Sequence, residues 1–351
     1  MKVAFAPVGK DNPYQEKLIG SLGELGVEVL PVKSGILQFF KTKHLFQVDI
    51  IHFHWFEYYT FSKNAWIRLL KWSIFLIGIF LIKGNKKYVW TVHNFGSHES
   101  GFSTLDNFFT RCFIRMQDAF SVHNFFSKGI LETRYKIPNE KIAVIPHANY
   151  VGTYPQFKGN IYEFRRNIRN FDESKFSFMF LGDLRPYKGI MDIIDAFISL
   201  KRPKAQLIIC GRVKFEKDLK VINEKIAFND NIIFLPRYIE DGEIEAYFSL
   251  SNVMIYPYKR VVTSGALLLG MSYSKLCLAS NVGSMPEFID HEFLFGDVPE
   301  LTKMMDKVMN ISSEEVTLVG RGNFEKIKDH TWVSMAEKTL ELYHRVNFAH
   351  S

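Results

Sequence analysis

The chain has 351 residues, 47% of them hydrophobic, and a formal net charge of +7. That length exceeds what one hydrophobic core usually organises, and the composition excludes a disordered tail or a collagen-like repeat. Three cysteines, Cys112, Cys210 and Cys277, are far apart and odd in number, which excludes a disulfide scaffold and suits a reducing compartment.

Short apolar runs bounded by turn residues alternate with helical patterns along the whole chain, the signature of parallel α/β units. In the first half, strands are expected at 3–6, 27–31, 50–54, 88–92, 119–122 and 143–146. In the second half they are expected at 176–181, 206–210, 232–235, 253–256 and 276–279. Each half is long enough for its own doubly wound sheet, so the expected class is α/β with two Rossmann-like domains facing across a cleft. Gly, Pro and charged residues collect in "YVGTYPQFKGNIYEFRRNIRNFDES", which puts domains at 1–160 and 171–330 with a terminal helix at 331–351.

Residues 1–150 carry 18 Lys+Arg against 11 Asp+Glu, while the remainder balances at 26 against 26, so the whole net charge sits on the first half. An anionic membrane, a phosphorylated substrate or nucleic acid would meet such a surface, and so would plain solvent. The stretch "WIRLLKWSIFLIGIFLIKGNKK" is apolar nearly all round from Trp72 to Ile82 and reads as too short to span a bilayer. It is expected either as a buried crossover helix or as an interfacial one with lysines and tryptophans at the head groups. The opening "MKVAFAPVG" reads as a strand and its loop, and the protein is expected in the cytoplasm, peripheral on the inner membrane face if membrane-bound.

Ligands of open α/β sheets bind beyond the carboxyl ends of the strands. In the second half, "LGDLRPYKG" carries Gly182, Arg185 and Lys188 into a helix, a strand–glycine–basic loop–helix order suited to a diphosphate. "YPYKRVVTSGALLLGM" opens an apolar helix at Thr263, Ser264, Gly265 and Ala266, with a hydroxyl cap and no acid in its first turns. Gly211, Arg212, Arg237 and Tyr238 follow two further strands and would line the pocket of a base and ribose. In the first half His52, His54, His93, His123 and His147 stand near strand ends. Without a Cys/His spacing pattern or an Asp-x-Asp pair they are expected to line a polar cleft or the core and not to bind metal. Glu57 in "HFHWFEYY" and Glu99 in "TVHNFGSHES" are the acids placed to act as a general base.

The order "LGDLRPYKG", strand–Gly-Arg, then "IYPYK…SGALLLGMSYSKLCLASNVGSMPEFI" resembles nucleotide-sugar glycosyltransferases of the GT-B fold, in particular glycosyltransferase family 4. "NPY" at Asn12 to Tyr14, "TVHN" and "PHANYVGTYP" are similar to the bacterial polysaccharide branch that includes the xanthan-pathway β-mannosyltransferase. The resemblance implies that Arg185, Lys188 and the helix start hold the donor diphosphate and that His93 lies beside the transferred sugar. Asn12, Tyr14, His54 and His147 fall on the acceptor side. Two glutamates eight positions apart are usual in the large family, and here those positions are Val261 and Leu269. Their absence fits that polysaccharide branch, where inversion is expected with a base in the first domain, Glu57 ahead of Glu99, and Arg185, Lys188 and the helix start at Ser264 would stabilise the leaving charge without a metal. The expected substrates are GDP-mannose or a UDP-sugar, with a glycan or prenyl-diphosphate-linked acceptor; no cofactor and no nucleic acid are implied. Two other readings remain open. A nucleotide-sugar 2-epimerase would turn over donor without acceptor, and a non-catalytic nucleotide-binding subunit would show no transfer.

Overall fold

The computed structural model describes residues 1–9, 13–95 and 104–348. The chain forms two compact units, Met1–Ala148 with His330–Ser351, and Asn149–Asp329.

Unit 1 runs β1 (Lys2–Ala6), α1 (Pro13–Glu24), β2 (Glu28–Pro31), α2 (Ile36–Lys41), β3 (Ile50–Phe53), α3 (Glu57–Thr60), α4 (Ala65–Lys83), β4 (Lys87–Thr91), α5 (Thr104–Arg115), β5 (Ala119–Val122), α6 (Phe125–Arg134) and β6 (Ile142–Val144). Its sheet is parallel, in the order β2-β1-β3-β4-β5-β6. The strand order therefore reverses between β1 and β3, which opens a crevice at their carboxyl ends. β3, β5 and all but the first residues of β1 and β4 are buried, as strands covered by helices on both faces must be.

Unit 2 runs α7 (Ile161–Asn167), β7 (Phe176–Leu181), α8 (Ile190–Leu200), β8 (Ala205–Cys210), α9 (Glu216–Ile226), β9 (Ile232–Leu235), α10 (Ile244–Ser249), β10 (Val253–Tyr256), α11 (Gly265–Ser272), β11 (Leu276–Ser280), β12 (Leu294–Phe295), α12 (Val298–Met309) and α13 (Ser313–Glu325). The order β12-β11-β10-β7-β8-β9 is that of dinucleotide-binding sheets, with its switch point between β7 and β10. The stretch after Asn149, where periodicity fades, is held to this unit by side chains. Phe164 meets the Tyr247 ring edge-on at 5.2 Å, and Arg165 donates to the Ser249 carbonyl at 2.8 Å. The chain then returns to unit 1 as α14 (Trp332–Phe348), where Met335, Leu342 and Tyr343 are buried in the same cluster as Leu18 and Leu22 of α1.

The eleven strands expected from the sequence are all present, displaced by at most two residues at an end. β12 was not expected, because two residues carry no period to read.

The expectation of a buried crossover helix at 66–87 is corrected. α4 does connect β3 to β4, capped by Asn64, whose side chain accepts from the N–H groups of Trp66 and Ile67. Its inner face, Trp72, Phe75, Ile79 and Ile82, is packed into the core, but Trp66, Leu70, Ile77, Phe80 and Leu81 are exposed. At 19 residues it is long and apolar enough to cross a membrane by length and composition alone.

Candidate active site

In unit 1, four neighbouring strands each deliver a histidine just past their carboxyl end: His54 after β3, His93 after β4, His123 after β5 and His147 after β6. Adjacent parallel strands lie about 4.8 Å apart, so such residues must form a row. Their ring centroids follow at 5.4, 5.5 and 5.3 Å. Tyr14 of α1 packs against all four rings, at centroid distances from 4.9 to 6.0 Å. Trp55 lies flat on His93 at 4.2 Å, and Trp332 meets His147 at 5.9 Å.

The hydrogen bonds fix most of the row as neutral imidazole. His123 donates from Nδ1 to the Ile145 carbonyl at 2.8 Å, so its Nε2 accepts from the Tyr14 hydroxyl at 3.2 Å. His147 Nδ1 donates to the Ala148 carbonyl at 2.7 Å. His54 Nδ1 and His93 Nε2 share one proton across 3.1 Å, while His54 Nε2 is buried without a partner. Behind the row, His52 is held between Tyr343 and Thr91 at 2.6 and 2.7 Å, as a core histidine. Burial pushes these pKa values down, with repulsion from neighbouring imidazoles adding to it at all but His123: to about 3 for His52 and His147, about 4 for His123, and well below the usual range for His54 and His93. Among the described residues no cluster of three or more His, Cys, Asp or Glu is arranged to hold a metal ion.

Glu57 opens α3, three residues beyond His54. Its Oε2 is sealed from water and has no hydrogen-bond partner. Desolvation raises its pKa to about 7, against the smaller opposing effect of a hydrogen bond to its own backbone. A carboxyl group poised there exchanges a proton near neutrality, as a general base must. Asn12 and Glu99 lie outside the described residues.

In unit 2, a cavity of about 260 Å³ opens at the switch point. Gly182, Gly211, Arg212, Tyr238, Gly265 and Ala266 line it, all expected there from the sequence. Gly182 and Gly211 have φ of +144° and +145°, and a Cβ on Gly211 would overlap the Gly182 carbonyl oxygen. The two strand ends thus pinch together in a way only glycine permits. Ser264 caps α11 by accepting from Leu267 N–H at 3.1 Å, which leaves the N–H groups of Gly265 and Ala266 as the donors of that helix start. Thr263 stands immediately before the cap.

Arg212 is the cation on the cavity wall, and Lys188 stands behind Gly182, outside the lining. The Lys188 ammonium lies against Gly182, where a Cβ would sit 3.2 Å away, and over the rings of Phe180 and Tyr258 at 5.9 and 5.7 Å. Among the described residues no carboxylate is within ion-pair distance of it, and desolvation lowers its pKa to about 8. Arg185 departs from expectation. It lines a neighbouring cavity of about 200 Å³ with Asp218 and Lys259, and its guanidinium pairs with Asp183 at 3.4 Å. Asp183 pairs as well with Arg212 at 3.3 Å. Arg237 departs further: Glu243 takes it in two bonds of 2.7 and 2.6 Å and Tyr247 in a third, so it braces α10 and is not among the residues lining the cavity.

Sequence reasoning missed Tyr150, Tyr154, Asp183, Ile239 and Asp241 on the cavity wall. The two tyrosines stack at 5.9 Å, and the Tyr150 hydroxyl would stand 2.7 Å from a Cβ on Gly265. Their spacing of four in "NYVGTY" was the available signal, hidden because the segment read as a linker. Leu269 and Val261, where the resemblance looks for glutamates, are buried and apolar, and Leu269 lines the cavity.

Two parallel doubly wound sheets, one with a cavity at its switch point, are the architecture of GT-B glycosyltransferases that use nucleotide-sugar donors. Residues 162–323 match the family described as Glycosyl transferases group 1. It is similar to a GDP-mannose:glycolipid 4-beta-D-mannosyltransferase of Xanthomonas campestris pv. campestris, 24% identical over 290 residues that cover 78% of this chain and 71% of that protein. Its fold is shared by a sucrose-phosphate synthase from Thermosynechococcus elongatus, with a TM-score of 0.75, 15% identity and full coverage of both chains. It is shared as well by Anabaena Alr3699/HepE in complex with UDP-glucose, with a TM-score of 0.74, 15% identity, and coverage of 97% and 98%.

Proposed function

We propose that the chain transfers a mannosyl group from GDP-mannose to a glycolipid acceptor at the inner face of the cell membrane, with inversion at the sugar's C1 and without a metal ion. The sugar and acceptor rest on the similarity to the Xanthomonas enzyme. The observation that carries the chemistry is the Lys188 ammonium, buried beside Gly182, where burial outweighs the more distant Asp183 carboxylate and lowers its pKa to about 8. A buried cation that no carboxylate touches directly is stabilised when an anion arrives, and a diphosphate is the anion that fits a glycine pinch beside a helix start.

In this reading the donor diphosphate lies against Lys188 and the N–H groups of Gly265 and Ala266, with its nucleoside between Tyr238 and Tyr154. The acceptor hydroxyl attacks C1 and gives its proton to Glu57. The C1–O bond to the diphosphate breaks, and the departing charge is stabilised by contacts already in place. His93, His54, His147 and Tyr14 shape the acceptor side. Inversion follows from a base that acts on the acceptor, together with apolar residues where a glutamate pair would otherwise touch donor sugar and ribose.

The test is a thermal-shift titration with GDP, UDP and ADP, then transfer from labelled GDP-mannose or UDP-glucose to extracted glycolipid. The expected result is a GDP-specific shift that Lys188→Ala abolishes, and mannose in the lipid fraction. A shift with UDP alone, or donor turnover without any acceptor, refutes the assignment.

A further inference from the structure

We propose that the outward face of α4 is a docking surface for the head-group layer of an anionic phospholipid membrane. The inference stands on this helix alone and needs no assignment of donor or acceptor. Trp66, Leu70, Ile74, Ile77 and Leu81 recur at intervals of three and four, so they form one stripe about 22 Å long. Their exposures are 80, 59, 44, 60 and 75%. The buried residues of α4 recur on the opposite side, so the helix is apolar all round yet has only half its circumference covered.

The charge around the stripe selects the occupant. No acidic residue lies in Ala65–Lys83. Among the described residues, two carboxylates pair with the helix's own cations, Asp106 with Arg68 at 3.4 Å and Asp118 with Lys83 at 3.1 Å. Lys63 precedes the helix and Lys86 and Lys87 follow it, so both ends of the stripe are basic. At the far end Lys86 stands 6.0 Å from the exposed Phe46 ring, and at the near end Trp66 projects into solvent. An aliphatic strip with an aromatic and lysines at its ends is the composition of an interfacial helix, whereas the cores of protein interfaces are depleted of lysine. An anionic leaflet attracts each such cation, and the attraction is screened by salt. α4 cannot leave the fold to cross the bilayer, because Trp72, Phe75 and Ile79 are locked in the core and it is tied at both ends to paired strands. It therefore lies flat. As the β3-to-β4 crossover it begins at the carboxyl edge of the sheet, eight residues after Glu57, so docking brings that edge of unit 1 to the lipid surface.

The experiment is flotation of the full chain with phosphatidylcholine vesicles and with vesicles in which phosphatidylglycerol replaces about one third of the lipid. Binding is expected to the anionic vesicles and to weaken with salt. The double variant Ile77→Asp/Leu81→Asp is expected to lose at least about tenfold in partitioning with an unchanged melting curve, since both side chains are exposed. Independently of any variant, brominated lipid should quench fluorescence of the wild-type chain, with the quenching reduced in Trp66→Phe. Absence of flotation, flotation untouched by the two aspartates, or a wild-type solution mass twice that of the variant would overturn the proposal, the last by showing a second copy on this face.

Discussion

Acidification from pH 7.5 to 5.5 should selectively unfold unit 1. His52, His54, His93, His123 and His147 are neutral in the fold because burial lowers their pKa values, whereas in the unfolded chain each titrates near 6.5. The unfolded state therefore binds more protons below that value, so the stability is complete above about 6.5 and is lost as pH falls toward the folded pKa values. Each residue withdraws about 1.4 kcal/mol per pH unit in that window. At pH 5.5 the five together withdraw about 7 kcal/mol, which is comparable with the whole stability of about 5–15 kcal/mol of a typical domain. The readout is clean, because all five tryptophans, Trp55, Trp66, Trp72, Trp90 and Trp332, belong to unit 1, while unit 2 holds His291 as its one histidine. Urea melts followed by tryptophan fluorescence at fixed ionic strength should show stability that falls with a slope of about five protons below pH 6.5. The circular-dichroism melt should retain a second, pH-insensitive transition from unit 2. A fluorescence midpoint constant between pH 7.5 and 5.5, or a slope below about one proton, would refute a sealed neutral histidine row.

Four further outcomes follow from the residues of the two units. Turnover should rise with pH as Glu57 ionises near 7 and fall as Lys188 deprotonates near 8, giving a narrow bell in kcat/KM. Glu57→Gln should remove the acidic limb and lower kcat by about 10²–10⁴-fold while GDP affinity is unchanged; near-normal turnover in that variant rules Glu57 out as the base. Asp183→Asn should release Arg212 at the cavity wall and tighten nucleotide binding by about two- to fivefold, measured calorimetrically at low salt; weaker binding would mean that Asp183 itself contacts the donor. Gly211→Ala should cost about 1–3 kcal/mol in a urea melt and abolish the nucleotide-induced thermal shift, because the new methyl overlaps the Gly182 carbonyl at a φ that disfavours a side chain. A variant that melts and binds like the parent would show that the pinch is not needed.

Much of this protein was legible in the amino-acid order because its determinants are local. Runs such as "FSFMFL" and "VMIY" alternate with turn residues over a few positions, so the strands could be read to within two residues. The Ser264 cap, the glycine after β7 and the basic loop at Lys188 are likewise properties of short segments, and they appear where the sequence puts them. What the tertiary structure alone decided depends on residues that meet across long separations. The histidines could be seen near strand ends, but only the order β3-β4-β5-β6 lines them up under Tyr14 and removes water from them. Arg237 read as a ligand contact until Glu243 and Tyr247 were found to consume its donors, and Arg185 until Asp183 drew it beside a second cavity. Glu57 could be picked out in sequence by its place just after β3, but the rise of its pKa to about 7 comes from the fold, which seals Oε2 from solvent and from a hydrogen-bond partner. α4 shows the limit most plainly. Its hydrophobicity was written in the sequence, but which half of it the core would cover is set by the packing of β3 and β4, since an all-apolar helix carries no preference of its own for a face.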